Sequence, residues 1–403
     1  MTTGVGDTNN DGTSTLPASG NWYGVIFNDA SSDAGCVMRR CHVRFAGGGN
    51  RGAVSMDNAS PVVDSCDFSN SYYGTLMQYE SSPTYTNNTI GSSDMVPIAM
   101  SFDAHPVFYN NTFSLSDNEY DAIGLLGGTL TSNAVLPTRD VTAIPNVTYL
   151  LLGTVTIPET LSLTINDSIV IKSYYYNHRI IVQGTLIADA TASSMITFTS
   201  VKDDNYGNPL DTNRDGSSTW PVVGDWGGIV IEATSDTTSQ LNYCRIKYAS
   251  NPYYSSAALT TLNASPKIQH CEITDVHYGI WAQYSSNPTI ESNSIINTSS
   301  TPIALSVSAN PSFNGNTFTN TSLTALGIIG ENVGYNGSIS KRDVAGWNNI
   351  TYVLLGNLTI DSGTYVTVEP DVVVKLNGSG IYSITIIKIV WNIIFKTTTE
   401  IIK

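Results

Sequence analysis

Charge is scarce in this 403-residue chain: Asp, Glu, Lys and Arg together make up only 13% of it. Basic residues are the scarcer kind, 18 Lys and Arg against 33 Asp and Glu, which leaves a net charge of −15. A nucleic-acid partner is therefore not expected, because neutralising phosphates needs a basic face. Cysteine is sparse too. Cys36, Cys41, Cys66, Cys244 and Cys271 form no Cys-x-x-Cys pair and no Cys/His cluster, so no zinc site is expected. No Gly-x-Ser-x-Gly elbow and no phosphate loop occurs. Long amphipathic helical segments are missing, and no apolar run marks a membrane span.

What the chain does have is a copy of itself. Asp7-Thr8-Asn9-Asn10-Asp11-Gly12, followed by Trp22 and Gly24, returns as Asp211-Thr212-Asn213-Arg214-Asp215-Gly216, followed by Trp226 and Gly228, at an offset of 204 residues. The offset stays between 203 and 205 as far as the match of Ile169-Val170-Ile171-Lys172 with Val372-Val373-Val374-Lys375. A long tandem duplication points to a repeat architecture. It is also an internal control: a residue every copy needs should recur, and a single active site should not.

A shorter rhythm runs inside each copy. Pro61, Pro83 and Pro106 are 22 and then 23 residues apart, and Pro266, Pro288 and Pro311 repeat both spacings. Each proline opens a unit of the form Pro, x, apolar, x, x, Cys or Asn, x, apolar. That unit is too short for a helix and alternates like a strand with a turn in it. Proline fits the first residue of a strand, where a missing N–H costs least. Units of this length with Asn, Gly and Ser turns fit single coils of a parallel β-helix. Stacked coils would then align Cys41, Cys66, Asn88 and Asn111 in one ladder, and Cys244, Cys271, Asn293 and Asn316 in its twin. The stacked cysteines are expected to be buried thiols rather than disulfides, although coil spacing would allow the bond.

The fold expected is all-β: a right-handed parallel β-helix over residues 1–376, with copy one (1–203) and copy two (204–376) as consecutive stretches of one rod. At about 22 to 25 residues per coil the chain would hold roughly 16 to 18 coils. Residues 377–403 break the pattern with an Ile- and Lys-rich tail, a cap or a truncation artefact. Copy one lacks the strands that precede the Asp-rich loop in copy two, so the chain is expected to be a fragment that begins mid-repeat.

The strongest chemical motif is Asp-x-Asn-x-Asp-Gly. Oxygen ligands at alternate positions, with glycine permitting a sharp turn, are how a short loop wraps Ca²⁺. The candidate ligands are Asp7, Asn9 and Asp11 in copy one and Asp211, Asn213 and Asp215 in copy two. The acid an EF-hand carries at position 12 is replaced by Ala18 and Val222, so a further ligand is expected from Asp203, Asp204 or Asp225. A structural Ca²⁺ is the only cofactor expected; the alternative is an Asx-turn loop without metal. No catalytic residue is assigned. The five histidines do not recur between copies, and the recurring acids outside the loops are few: Asp67 with Glu272, and Asp140 with Asp343. Arg245-Ile246-Lys247 faces His42-Val43-Arg44 in copy one and is expected to be an outward basic strand. Tyr73-Gly74 with Gln78-Tyr79 recurs as Tyr278-Gly279 with Gln283-Tyr284, and exposed aromatics of this kind could stack on sugars. The sequons at Asn87, Asn110, Asn146, Asn297 and Asn357 are expected to be turn chemistry or chance in a chain rich in Asn, Ser and Thr.

Residues 149–226 combine Leu161-Ser162-Leu163-Thr164-Ile165, Val170-Ile171-Lys172, Gly184-Thr185-Leu186-Ile187-Ala188, Ile196-Thr197-Phe198-Thr199-Ser200 and Gly224-Asp225-Trp226. This passage resembles secreted right-handed parallel β-helix proteins of the pectate-lyase-like superfamily. The resemblance, with the copy it repeats, covers residues 1–376. It implies an extracellular or cell-surface location and a surface or adhesin-like role, with carbohydrate or cell-surface glycans as partners. Some superfamily members are polysaccharide lyases or hydrolases. The Arg-x-Lys strand here lacks the paired aspartates and Gly-His-Gly that accompany it in polygalacturonases, so an enzyme with its site in one copy is the alternative reading.

Overall fold

The computed structural model describes residues 11–12, 14–33, 35–114, 117–141, 144–232, 237–250, 257–376, 378–383 and 394–397. The regular elements among them are short β-strands of two to six residues, and none is a helix. Accordingly, no helix there is long and apolar enough to cross a membrane. Among the described residues these strands pair in parallel, as the sequence period requires. Together the coils amount to about 14 turns of right-handed parallel β-solenoid. That is fewer than the repeat length suggests, and the long connection 201–228 accounts for about one of the missing coils, since it consumes chain without adding a turn.

Contacts divide the chain into two compact units. The first comprises Met1–Met100, Ala104–Gly124 and Val141–Ala143, and the second Ser101–Asp103, Leu125–Asp140 and Ile144–Lys403. In the first unit each coil supplies one strand to each of three sheets. One coil runs through Gly52–Asp57, Val62–Asp64 and Asp67–Ser69; the next runs through Tyr73–Gln78, Thr84–Thr86 and Thr89–Ile90. The second unit repeats the plan, for example in the coil Ile180–Val182, Thr185–Asp189 and Ile196–Ser200.

Alternation puts every second side chain inside, and in-register stacking turns those positions into apolar ladders. Ile165, Ala188, Leu241, Ile268 and Ile290 stack in this way on successive coils and are all buried. Burying each large aliphatic rung contributes about 2 kcal/mol relative to exposure.

The predicted Asn ladder is present and its hydrogen bonds explain it. Asn88 Oδ1 accepts from Cys66 N at 2.9 Å, and Asn88 Nδ2 donates to Val63 O at 2.9 Å. Asn293 makes the same pair of bonds with Cys271 N and Ile268 O in the second unit. The stacked cysteines are thiols, and Cys66, Cys244 and Cys271 are buried. The sequon asparagines Asn87, Asn110, Asn146 and Asn297 all have positive φ, between 48° and 56°. Asparagine is the non-glycine residue that best tolerates that left-handed conformation, so turn geometry accounts for their recurrence. Asn357 is not among the positive-φ residues; its side chain accepts from Gly380 N.

Candidate metal centre

The strand Ile196–Ser200 and the next strand, Ile229–Ile231, are joined by a strap, residues 201–228. It is held to several coils of the second unit. Asn208 N donates to Thr148 Oγ1 at 2.6 Å, and Asn208 Nδ2 to Pro145 O at 2.6 Å. On the other side, Trp226 Nε1 donates to Lys247 O at 2.7 Å and Gly224 N to Tyr248 O at 3.1 Å. The Tyr206 ring lies 5.5 Å from the Arg245 guanidinium carbon and 5.6 Å from Lys247 Nζ.

Inside the strap, oxygens of Asp204, Asp211 and Asp215 lie within 4.8 Å of one another. The sequence motif shapes this cluster. Asp211 accepts from Asp215 N at 3.1 Å and from Gly216 N at 3.0 Å, which closes the loop on itself. Gly216 supplies a φ of 70°, and Gly12 in copy one has the same value. Asn213 Nδ2 donates to Asp215 Oδ2 at 2.8 Å, and the Thr219 hydroxyl donates to the same oxygen. Two acceptors are left over. Asp204 Oδ1 and Asn213 Oδ1 are buried atoms without a hydrogen-bond partner.

The electrostatics are unfavourable without a cation. At 4.8 Å two carboxylates repel by on the order of 3 kcal/mol at an effective dielectric of about 20, less where water screens them. Burial raises the Asp204 pKa; Lys172 opposes the rise, and Asp211, Asp215 and Asp203 add to it. Lys172 is the nearby positive charge that sequence reasoning missed. It is fully buried, and its Nζ donates to Leu210 O at 2.6 Å. Burial lowers its pKa to about 8, against the pull of Asp204, Asp203 and Asp211. A lysine at an outward strand position looks like a solvated residue, and only the strap above it makes it otherwise.

Of the three acids expected to add a ligand, the structure brings in Asp204. Asp203 instead accepts from Thr199 Oγ1 at 2.6 Å and from Asn205. Asp225 holds Lys202 Nζ and Ser200 Oγ, each at 2.8 Å, and caps Val222 N. Val222 therefore stands where an EF-hand acid would be because its amide starts the next turn, and Ala18 N is capped by Asn21 in the same way. In copy one, Asp7 and Asn9 lie outside the described residues. Asp11 repeats the role of Asp215: it accepts from the Thr15 hydroxyl as Asp215 does from Thr219, and its carbonyl takes Ser14 Oγ as that of Asp215 takes Ser218 Oγ.

The other recurring groups have structural partners. Arg245 faces Glu272 at 3.5 Å, and Arg44 faces Asp67 at 3.8 Å, so each basic strand is neutralised one coil on. Asp140 accepts from Asn146 N at 2.9 Å and Asp343 from Asn349 N at 2.8 Å, the same turn clasp twice.

Comparison with known families follows this geometry. A family model described as "Right handed beta helix region" matches residues 23–149 and again residues 222–348. The chain belongs to that family. Neither a curated protein nor a solved structure matches the sequence.

Proposed function

We propose that this protein is a non-catalytic β-helix module of the cell exterior, a surface or adhesin-like protein that meets glycans, and that Ca²⁺ holds its strap in place. The observation that carries the reading is the cluster of Asp204, Asp211 and Asp215 beside two buried acceptors, Asp204 Oδ1 and Asn213 Oδ1, that no hydrogen bond satisfies. All of these donors are oxygen, the preference of a hard cation of Ca²⁺ size. Water would complete the six to eight ligands that Ca²⁺ takes. A small, partly exposed site of this kind suits the weak affinities of extracellular modules, about 10⁻⁴ to 10⁻³ M. The strap ties coils together, so the bound ion acts as a staple.

The alternative, a polysaccharide lyase or glycoside hydrolase, needs a base or acid open to a sugar chain beside the cluster. Lys172, the nearby cation, is sealed beneath the strap. Glycan contact is supported by exposed aromatics: Trp220 in the strap, and the recurring pair Tyr79 and Tyr284. Two assays test the proposal. Calcium titration by calorimetry should show saturable binding that the D211N/D215N variant loses. Incubation with a panel of acidic and neutral polysaccharides should release neither unsaturated nor reducing ends; release of either would overturn the non-catalytic reading.

A further inference from the structure

The duplication picks out a side chain that no coil requires. In the second unit, strands Leu259–Leu262, Ile280–Gln283 and Ile303–Leu305 lie side by side, with Thr260, Trp281 and Ala304 in one row. Ile280 and Ala282 are fully buried on the inner side, so alternation turns Trp281 outward. The same row in the first unit is Ser55, Leu76 and Ala99. Leu76 is buried there, whereas Trp281 is only half-buried. The row differs in a second respect. Ser55 Oγ accepts from Gly52 N at 3.0 Å, but Thr260 Oγ1 is a buried hydroxyl without a hydrogen-bond partner.

Trp281 is held as one wall of an aromatic corner. Its Nε1 donates to Gln283 Oε1 at 3.3 Å, and the half-buried Tyr278 ring stands 5.1 Å away at 63° to the indole. His277 supports Tyr278 from behind, with ring centroids 4.3 Å apart and its Nδ1 2.7 Å from Ser299 Oγ. Burial lowers the His277 pKa, so the imidazole is uncharged at neutral pH. Lys247 and Asp275, the charged groups on the coils beside it, face each other at 3.6 Å. The corner itself is built from uncharged groups. Ring faces next to an amide and hydroxyls suit a pyranose, which offers an apolar C–H face and a rim of hydroxyls. A uronic acid would bring a carboxylate to a place that supplies no cation.

We propose that Trp281, Tyr278, Gln283 and Thr260 form a binding subsite for a neutral pyranose unit of a glycan. The sugar stacks its C–H face on the indole, and one of its hydroxyls partners Thr260 Oγ1 directly or through one water, as a buried unpaired hydroxyl requires. The inference rests on the reading that the protein meets glycans, and it is independent of the metal centre.

The probes are neutral oligosaccharides of glucose, mannose and galactose, with oligogalacturonate as the acidic arm and a proline-rich peptide as the protein arm, each titrated into the intact chain. Saturable binding of a neutral oligosaccharide is expected, with a shift in tryptophan emission. Two variants borrow from the fold's own tolerance. W281L installs the residue of the first copy, so it should keep the parent melting temperature, bind about ten-fold more weakly and lose the emission shift. T260V removes an unpaired buried hydroxyl, so it should melt no lower than the parent and still bind several-fold more weakly. A neutral sugar that W281L or T260V binds as tightly as the parent overturns the proposal. Binding of oligogalacturonate alone, unchanged in W281L, overturns the subsite and leaves the glycan reading standing; binding of no oligosaccharide removes both. Tighter binding of the proline-rich peptide, lost in W281L, would give the corner to a protein partner and also overturn it.

Discussion

Cys66 and Asn88 occupy the same bend one coil apart, and the bonds they make are alike. Cys66 Sγ accepts from Cys41 N at 3.5 Å and donates to Met38 O at 3.6 Å, where Asn88 uses Oδ1 and Nδ2. The thiol thus stands in for an amide, with longer and weaker bonds, and a Cys41–Cys66 disulfide would break them. Replacing Cys66 by Asn should leave the melting temperature unchanged or raise it. Asn88→Ala should cost about 3 kcal/mol in denaturant melts, since it leaves the buried Cys66 N–H and Val63 carbonyl without this partner. Glu331 makes a second prediction at this scale. Its carboxylate accepts from Ser306 Oγ at 2.8 Å and Val307 N at 3.0 Å, but burial outweighs both bonds and raises its pKa. A carboxyl group whose pKa is higher folded than unfolded holds its proton longer in the native state. Its contribution therefore weakens as pH rises from the unfolded value, about 4.5, through the folded one. Glu331→Gln should flatten that part of the stability profile. The difference in melting temperature between variant and parent should move in favour of the variant from pH 4.5 to pH 7; a constant difference would contradict the assignment.

At the scale of the element, the strap shows where sequence reading succeeds and where it stops. The spacing of Asp211, Asn213, Asp215 and Gly216 announces a loop that turns its oxygens to one place, because ligand alternation and a left-handed glycine are local properties. Which acid joins them is not local. Asp203, Asp204 and Asp225 were equal candidates by position, and the choice falls to Asp204 because Thr199 and Asn205 occupy Asp203 while Lys202 and Ser200 occupy Asp225. Lys172 was illegible for the same reason, since its burial depends on chain that arrives more than thirty residues later. Calcium at ten times its dissociation constant should stabilise the protein by about 1.4 kcal/mol, and a chelator should remove the gain. Trp220 follows Thr219, whose hydroxyl bonds Asp215, so tryptophan emission should report the same titration. Asp215→Asn should abolish both responses, and a calcium-dependent rise in melting temperature that survives in D211N/D215N would place the ion elsewhere.

Across the whole molecule, the duplication separates what a coil requires from what a single place requires. Gly74 and Gly279 recur because a side chain there would collide with the next coil: a Cβ would lie 2.5 Å from Pro97 O in one case and 2.7 Å from Pro302 O in the other. The Asn and Cys ladders and the Asp–Asn clasps recur for reasons of the same kind, which is why the fold was legible from spacing alone. Lys172 recurs as Lys375, but its burial answers to one strap, and Glu331 answers to one turn that no period advertises. Solenoid stability is close to a sum of nearest-neighbour terms, so a local staple should act locally. The strap bonds to Pro145, Thr148, Lys172, Lys247 and Tyr248, all in the second unit. Removing calcium, or introducing D215N, should therefore speed amide exchange in strands Tyr149–Leu151, Val170–Ser173, Ile196–Ser200 and Cys244–Lys247. Strands Gly52–Asp57 and Tyr73–Gln78 of the first unit should keep their protection. Equal loss in both units would mean that the cation stabilises something other than this strap.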